Sequence, residues 1–316
     1  FYYDDLLRFS DYTPVLDKEG KDTLWLSVYY SELEHDEIEA NLNKIYTLLH
    51  SDGDVEVLPF LKVDSIHFCT FGNSKPFRIR VRNILNDNYT NFYIKKADAS
   101  RIYGLELEEI LSPNRINFLL YKDTLIEEHI LGIPGDVFIE KHLDQCSPQE
   151  KAQIAKEFVK FNERCLIGLL GDMRSYNYVV IPAHDFDQVV YRIRPIDFDQ
   201  QCYEGNLKIY LPQYFKENKK MVEMVYDRLK PNSIEQYRKE VRSAIAKRAS
   251  TDGRLPHLLE IMKRDEISKP EHVEELKAGL HKLTYSIQFK KCESMGEILE
   301  TGLNFVIRNY NNSNVR

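Results

Sequence analysis

The spacing of apolar residues changes near the middle of this 316-residue chain, and the change limits the folds open to it. Between residues 77 and 84, apolar side chains alternate with arginines, which predicts a strand with one buried face. After Gly135 the apolar residues mainly recur at intervals of three or four, as in 234–245 and 273–283, which predicts amphipathic helices. The sequence therefore predicts an α+β fold with a sheet-rich first part and a mainly helical second part.

Turn and capping residues divide the chain into predicted elements. Helices are predicted for 35–50 and 98–111, and strands for 65–70, 77–84, 90–96, 116–121 and 125–130. Ser147 and Glu150 are spaced as a capping box before a helix that ends near Leu166. Two later strands, 178–181 and 189–196, are separated by a short turn and predict a hairpin.

The composition argues against several classes of protein. Hydrophobic residues make up 43% of the chain and charged residues 29%, as in folded proteins. The net charge of −7 argues against nucleic-acid binding, which usually needs a basic surface. No apolar run approaches the roughly 20 residues of a membrane span, so we expect no membrane segment.

The cysteines and the first residues of the chain bear on its compartment. Five widely spaced cysteines form no CxxC pair, which favours reduced thiols in a cytoplasmic protein. The chain opens without an initiator methionine and without the basic and apolar segments of a secretion signal. We therefore expect a trimmed cytoplasmic protein.

Three residues late in the chain could supply the groups that phosphoryl transfer needs. Asn177 follows Asp172 by five positions, and Asp197 comes after the predicted hairpin. The reaction needs a carboxylate that orients or deprotonates the acceptor, and further oxygen ligands that hold magnesium against the triphosphate. The tetrapeptide Asp-Phe-Asp-Gln that starts at Asp197 also starts at Asp185, but Asp185 is predicted to lie in the hairpin turn. We therefore assign the metal to Asp197.

The Gly-Asp-x4-Asn run at 171–177 and the Ile-Asp-Phe-Asp run at 196–199 resemble the catalytic loop and metal-binding segment of the protein-kinase-like superfamily. Their form is closest to the aminoglycoside phosphotransferase and choline-kinase-like branch. The resemblance implies a bilobal fold, with a sheet-rich N-lobe and a mainly helical C-lobe, that binds ATP and magnesium. The resemblance implies that Asp172 is the catalytic base and that Arg174 is a basic residue near the transferring phosphate. It also implies that Asn177 and Asp197 are magnesium ligands.

Upstream residues extend the resemblance. Lys95 on a predicted strand resembles the lysine that binds phosphate, and its neighbour Lys96, which points to the opposite face, competes for the role. The helix that follows should supply a glutamate that pairs with this lysine. Glu106, Glu108 and Glu109 are all available, and we choose Glu106, although an ordinary acidic helix face explains all three about equally well.

Two backbone segments complete the nucleotide site that the resemblance implies. The acidic strand end and Gly/Pro turn at 125–135 resemble the hinge of small-molecule kinases, where the main chain of Glu128 and Ile130 would bind adenine. The loop that covers the nucleotide should lie at 71–75, where Gly72 is the single glycine. Asparagine and serine in that loop can still tolerate turns and offer amide donors to phosphate.

Three parts of the chain are expected. They are an N-terminal extension, partly helical, at 1–60, a kinase-like N-lobe at 61–131, and a helical C-lobe with the catalytic loop and acceptor region at 132–316. Three roles are open to the extension: packing on the N-lobe, covering the nucleotide, or recruiting a protein partner.

The resemblance implies an ATP- and magnesium-dependent phosphotransferase whose acceptor is the hydroxyl of a small molecule. The alternatives are a protein acceptor, transfer of a nucleotide, and a pseudokinase that binds without turnover. The single-glycine loop favours a pseudokinase, as does Leu170, which stands where the family commonly has histidine. The joint presence of Lys95, Asp172, Asn177 and Asp197 favours an enzyme. No Ala-Pro-Glu segment follows Asp197, which argues against a conventional protein kinase.

Overall fold

The structure is a computed structural model that describes residues 1–71, 74–185 and 188–314. Gly72, one of the predicted nucleotide contacts, lies outside the described residues. The chain is a mixed α+β protein, as its sequence predicts. It divides into two compact units: unit 1 comprises Phe1–Asp98 and Ile116–His129, and unit 2 comprises Ala99–Arg115 and Ile130–Arg316.

Unit 1 is built on a seven-stranded antiparallel sheet with the order β1-β2-β3-β4-β5-β7-β6. Its strands are β1 (Asp11–Leu16), β2 (Asp22–Tyr29), β3 (Leu61–Cys69), β4 (Phe77–Asn83), β5 (Asn88–Lys96), β6 (Phe118–Tyr121) and β7 (Thr124–Glu128). The predicted strands that correspond to β3 through β7 are confirmed, and their ends shift by a few residues.

The strands β1 and β2 lie in the stretch 1–60, where the sequence predicts only a helix. β2 pairs with β3, with Trp25 opposite Cys69. The extension therefore continues the sheet within the same compact unit. β1 escapes prediction because it is mostly exposed and contains Pro14, so it lacks the apolar alternation that marks a half-buried strand.

Helix α1 (Glu32–His50) confirms the helix predicted in this stretch and packs on the apolar face of the sheet. The buried cluster includes Ile38, Leu42, Ile45 and Leu49 of α1 with Ile79 of β4 and Phe92 of β5. Leu48, predicted to face the core, is 59% exposed, because the stripe that starts at Ile38 continues through Leu49. Since successive strand residues point to opposite faces, the β4 arginines lie on the other side of the sheet.

Unit 2 is mainly helical. Its α-helices are α2 (Ala99–Leu111), α3 (Gly135–Val137), α4 (Pro148–Gly168), α5 (Lys219–Arg228), α6 (Pro231–Thr251), α7 (Leu255–Arg264), α8 (Pro270–Thr284) and α9 (Met295–Asn314). The predicted capping box at the start of α4 is confirmed. The Glu150 N–H donates to Ser147 Oγ over 3.3 Å, and the Ser147 N–H donates to Glu150 Oε2 over 2.8 Å.

The predicted hairpin of unit 2 is also confirmed. β9 (Tyr178–Asp185) pairs with β10 (Gln188–Pro195), and β8 (Ile133–Pro134) pairs with β9. Asp185, predicted to lie in the hairpin turn, is the last residue of β9 and pairs with Gln188, the first residue of β10. At the opposite end of the hairpin, the N–H of Ile196, just after β10, donates to the backbone oxygen of Asn177, just before β9.

Helices α6 and α8 of unit 2 each bury one face and expose the other. The stripes predicted for α6 and α8 contribute Val241, Ile245, Val273, Leu276 and Leu280 to one core. Leu283, also predicted for this stripe, is 52% exposed at the end of α8. Among the described residues, no helix combines the length and apolar character needed to cross a membrane.

Candidate active site

Asp172 lies in a tight turn between α4 and β9. Its backbone φ is +56°, a left-handed conformation that aspartate adopts more readily than most residues. The Asp172 N–H donates to Ile209 O over 3.1 Å, and the Arg174 N–H donates to Asp172 O over 2.8 Å. Backbone hydrogen bonds within the turn and to Ile209 thus hold the turn in place, and the Asp172 side chain remains 30% exposed.

Arg174 orients the carboxylate of Asp172. Its Nε lies 2.8 Å from Asp172 Oδ1, and its Nη1 lies 3.2 Å from Glu217 Oε1. The guanidinium also stacks over the ring of Phe215, 5.1 Å from the centroid. The hydrogen bond to Asp172 raises the pKa of Arg174 above its ordinary value. Arg174 is therefore a fixed positive charge beside the predicted base.

Asn177 connects this turn to the segment that carries Asp197. Its Nδ2 donates to Asp172 O over 2.8 Å and lies 3.4 Å from Asp172 Oδ2. Its backbone oxygen accepts from the Ile196 N–H over 3.0 Å, one residue before Asp197. Because the amide nitrogen faces Asp172, the amide oxygen of Asn177 is directed away from it and has the chemistry of a hard metal ligand.

The residues just before Asp172 are also joined to the segment after Asp197. The Gly171 N–H donates to Gln200 O over 3.2 Å, and Leu170 forms a β-bridge with Gln201. A Cβ atom on Gly171 would lie 2.9 Å from Gln200 O, so this close approach requires glycine. Leu170 itself is 6% exposed, so it has a packing role where the resembling family has histidine.

Arg101 is a site residue that the sequence analysis did not find. It is the third residue of α2 and is 5% exposed. Its Nη2 lies 3.5 Å from Asp199 Oδ2, and its Nε lies 4.0 Å from Asp197 Oδ1. A cation in the first turn of a helix is disfavoured by the helix dipole. In the sequence, this unfavourable position is the signal that Arg101 pairs with carboxylates outside its own helix.

Gly104 lets α2 approach Phe198, the residue between these two aspartates. A Cβ atom at Gly104 would lie 2.7 Å from Phe198 Cβ and 2.8 Å from its Cδ1. We expect Gly104→Ala to lower the free energy of unfolding by roughly 1–3 kcal/mol, because overpacking forces these atoms apart. Gly302 of α9 is the matched control, since its Cβ would meet nothing within 4 Å. Equal stability of Gly104→Ala and Gly302→Ala in urea titration would contradict the close contact.

In unit 1, Lys95 forms a buried ion pair with Glu127. Lys95 Nζ lies 2.6 Å from Glu127 Oε2, and the two side chains are 10% and 8% exposed. Lys95 is opposite Leu125 in the β5–β7 pairing, and Glu127 lies two positions further on the same face. The competing Lys96 points the other way, is 55% exposed and pairs with Asp4 over 3.3 Å.

Within unit 1, Glu127 is a carboxylate that pairs with Lys95, and the predicted pairing of Lys95 with Glu106 stays a prediction. The other two candidates have partners in unit 2: Glu108 accepts from Asn114 over 3.2 Å, and Glu109 pairs with Arg254 over 3.1 Å. Burial and the charge of Glu109 raise the pKa of Glu106.

One backbone group of the predicted hinge, the N–H of Glu128, already has a hydrogen-bond partner. The Glu128 N–H donates to Asn117 O over 3.0 Å, so it is not available to adenine. The Glu128 carboxylate accepts from the Asn117 N–H over 2.9 Å and from Asn117 Nδ2 over 3.1 Å. Glu128 therefore fixes the end of β7 through its hydrogen bonds to Asn117, which lies eleven positions earlier in the chain. Ile130 is 8% exposed at the start of the second segment of unit 2.

The oxygen ligands at the base of the hairpin fit a magnesium ion that arrives with phosphate. The described residues contain no group of three or more His, Cys, Asp or Glu side chains that could hold a metal by themselves. Magnesium commonly takes one or two protein oxygens and completes its shell with phosphate and water. Asn177 and Asp197 form such a small donor set, and Arg101 competes for the carboxylate of Asp197.

Comparison with known proteins does not assign this site. No model of a known protein family matches the chain, and no curated protein matches it. Any assignment of function therefore depends on the residues of the site and their arrangement.

Proposed function

We propose that this protein is an ATP- and magnesium-dependent phosphotransferase with a bilobal kinase-like fold, acting on the hydroxyl of a small molecule. The observation that carries the proposal is the hydrogen-bonded loop of Asp172, Arg174 and Asn177, which the Asn177 backbone joins to the segment of Asp197. This loop offers a proton acceptor and oxygen ligands in a fixed arrangement, as phosphoryl transfer requires.

Asp172 is the proposed base. It orients the acceptor hydroxyl and takes its proton while the acceptor oxygen bonds to the γ-phosphorus of ATP. The bond from that phosphorus to the bridging oxygen breaks, and ADP leaves with the electron pair. Arg174 holds the Asp172 carboxylate in one orientation through the 2.8 Å hydrogen bond, so less reorganisation is needed during transfer.

Charged and polar side chains other than Asp172 and Arg174 bind the nucleotide and its metal in this proposal. Lys95 binds phosphate oxygens, and Glu127 holds its ammonium group in place. Asn177 and Asp197 hold magnesium, which when bound neutralises charge on the transferred phosphate. Arg101, buried beside Asp197 and Asp199, keeps this pair of carboxylates from repelling each other before metal binds.

The order of elements supports the kinase-like fold. The β3–β4 hairpin is followed by β5 with Lys95, then by α2, then by β6 and β7, and finally by the helices of unit 2. The residues between Asp197 and α5 include three short 3-10 turns and the fully buried Tyr210. This compact connection favours a small acceptor over an extended peptide, which binds best along an open strand edge.

The test is transfer from ATP labelled separately at the α- and γ-phosphates, in the presence of magnesium and a pool of small hydroxyl compounds. The proposal predicts that the γ-label moves to an acceptor, while the α-label stays in the nucleotide. Movement of the α-label would indicate nucleotide transfer, and labelling only of added protein would indicate a protein acceptor. Binding of ATP without movement of either label would indicate a pseudokinase. Each of these three results would contradict the proposal.

A further inference from the structure

The face of the unit 1 sheet that carries Lys95 also carries Arg78. Arg78 lies opposite Tyr93 in the β4–β5 pairing, and Tyr93 lies opposite Glu127 in the β5–β7 pairing. Because side chains two apart on a strand share a face, Lys95 lies on the same face as Tyr93. Arg78 and Lys95 are therefore diagonal neighbours on adjacent strands, a separation that long side chains span.

Arg78 differs from the other arginines of its strand. Arg80 pairs with Asp64 over 3.5 Å, and Arg82 pairs with Asp87 over 2.5 Å. Within the described part of the chain, no carboxylate forms an ion pair with Arg78. Its guanidinium is instead held by uncharged groups: Nη2 lies 2.8 Å from His67 Nδ1, and Cζ lies 4.7 Å from the centroid of the Trp25 ring.

The groups around Arg78 keep its charge uncompensated. Burial, and then the charge of Arg78, lowers the pKa of His67 to about 4, so this histidine is neutral at pH 7 and its Nδ1 can accept from the guanidinium. Burial and Arg78 also lower the pKa of His129, whose Nδ1 lies 3.1 Å from the Tyr93 hydroxyl. At neutral pH Arg78 and Lys95 are thus two neighbouring cations on this face, and the carboxylate of Glu127 pairs with Lys95.

A half-buried guanidinium held by neutral partners is preorganised to bind an anion. Desolvation strengthens its interactions, and the stacked and hydrogen-bonded side chain loses little further freedom on binding. Arginine matches phosphate through two parallel hydrogen bonds, whereas lysine acts as a point charge. We propose that Arg78 is a second phosphate-binding cation, which binds the triphosphate of a nucleotide together with Lys95. The inference rests on the proposed function, because that function brings the triphosphate to this face.

The experiment measures binding to the full chain by calorimetry, with inorganic tripolyphosphate, magnesium-ATP and adenosine as probes. We expect Arg78→Gln to weaken binding of tripolyphosphate and magnesium-ATP by about tenfold or more, because a charge-assisted hydrogen bond is lost. Binding of adenosine, which has no phosphate, should not change. Arg80→Gln is the matched control on the same strand and face, and it should leave all three affinities within about twofold, because Asp64 already compensates its charge.

A second measurement keeps the inference testable if Arg78→Gln does not fold. In the wild-type chain, tripolyphosphate should protect Arg78, but not Arg80, from modification by phenylglyoxal, as read by mass spectrometry. Equal affinities of the Arg78→Gln and Arg80→Gln variants for tripolyphosphate, or modification of Arg78 that tripolyphosphate leaves unchanged, would overturn the inference. The tripolyphosphate results need neither magnesium nor turnover. A protein that binds this probe through Arg78 but transfers no label from ATP would retain the inference and lose the proposed function.

Discussion

In an Asp172→Asn variant, transfer of the γ-phosphate should fall by about 10²–10⁴-fold, the usual contribution of a general base. Asparagine keeps an oxygen that accepts from Arg174, and it tolerates the backbone φ of +56° at this position. It cannot take the proton of the acceptor hydroxyl. The affinity for magnesium-ATP should therefore stay within about twofold of the wild-type value, since in the proposed reaction the carboxylate acts on the acceptor and not on the nucleotide.

Asp227→Asn is the control for this prediction, because Asp227 is an exposed aspartate of α5. The measurement compares γ-label transfer under single-turnover conditions with magnesium-ATP affinity for the wild type and both variants. Full activity in Asp172→Asn would exclude Asp172 as the base. An equal loss of binding and transfer would show instead that Asp172 maintains the loop or binds the nucleotide.

Replacing Glu127 with alanine should lower the free energy of unfolding of unit 1 by about 3–5 kcal/mol, because it breaks the buried ion pair with Lys95 by removing one partner. Little water can reach Lys95, since its side chain is only 10% exposed. The single tryptophan, Trp25, lies in unit 1, so its fluorescence during urea titration reports the unfolding of this unit. Nucleotide binding should weaken as well, because Lys95 loses the group that positions it.

A double variant, Lys95→Met with Glu127→Leu, separates the cost of breaking the ion pair from the loss of packing. Buried ion pairs can often be replaced by apolar residues of similar volume at little cost in stability. The double variant should therefore be closer to the wild type in stability than Glu127→Ala, while it loses phosphate binding. Wild-type stability in Glu127→Ala would contradict the importance of the pair. It would also be contradicted if the stability changes of the single variants Lys95→Met and Glu127→Leu summed to that of the double variant.

Local features of the fold could be predicted because their signals lie within a few residues. The alternation around Arg78 predicts β4, and the spacing of Ser147 and Glu150 predicts the start of α4. The run from Asp172 to Asn177 predicts a loop, and the structure joins the two residues by hydrogen bonds. Each of these features depends on backbone periodicity, on capping chemistry or on short contacts along the chain.

Features that depend on distant pairing could not be predicted from one sequence. The partner of Lys95 is set by the register of β5 against β7, and the occupied N–H of Glu128 is set by Asn117 of a preceding segment. Arg101 reaches Asp197 and Asp199 from nearly a hundred positions earlier. The order of elements restricts such pairs, but only the packed structure selects among several candidate glutamates or arginines.

The central claim is that Asp197 holds a magnesium ion which brings ATP to this site, and calorimetry of ATP binding with and without magnesium tests it most directly. The wild type should bind ATP more tightly with magnesium than with EDTA. In Asp197→Asn, addition of magnesium should no longer strengthen binding. At 100 times the dissociation constant, magnesium-ATP should stabilise the wild type by about 2.7 kcal/mol in a parallel unfolding experiment. Equal ATP binding with and without magnesium in the wild type, or an unchanged magnesium effect in Asp197→Asn, would contradict the claim.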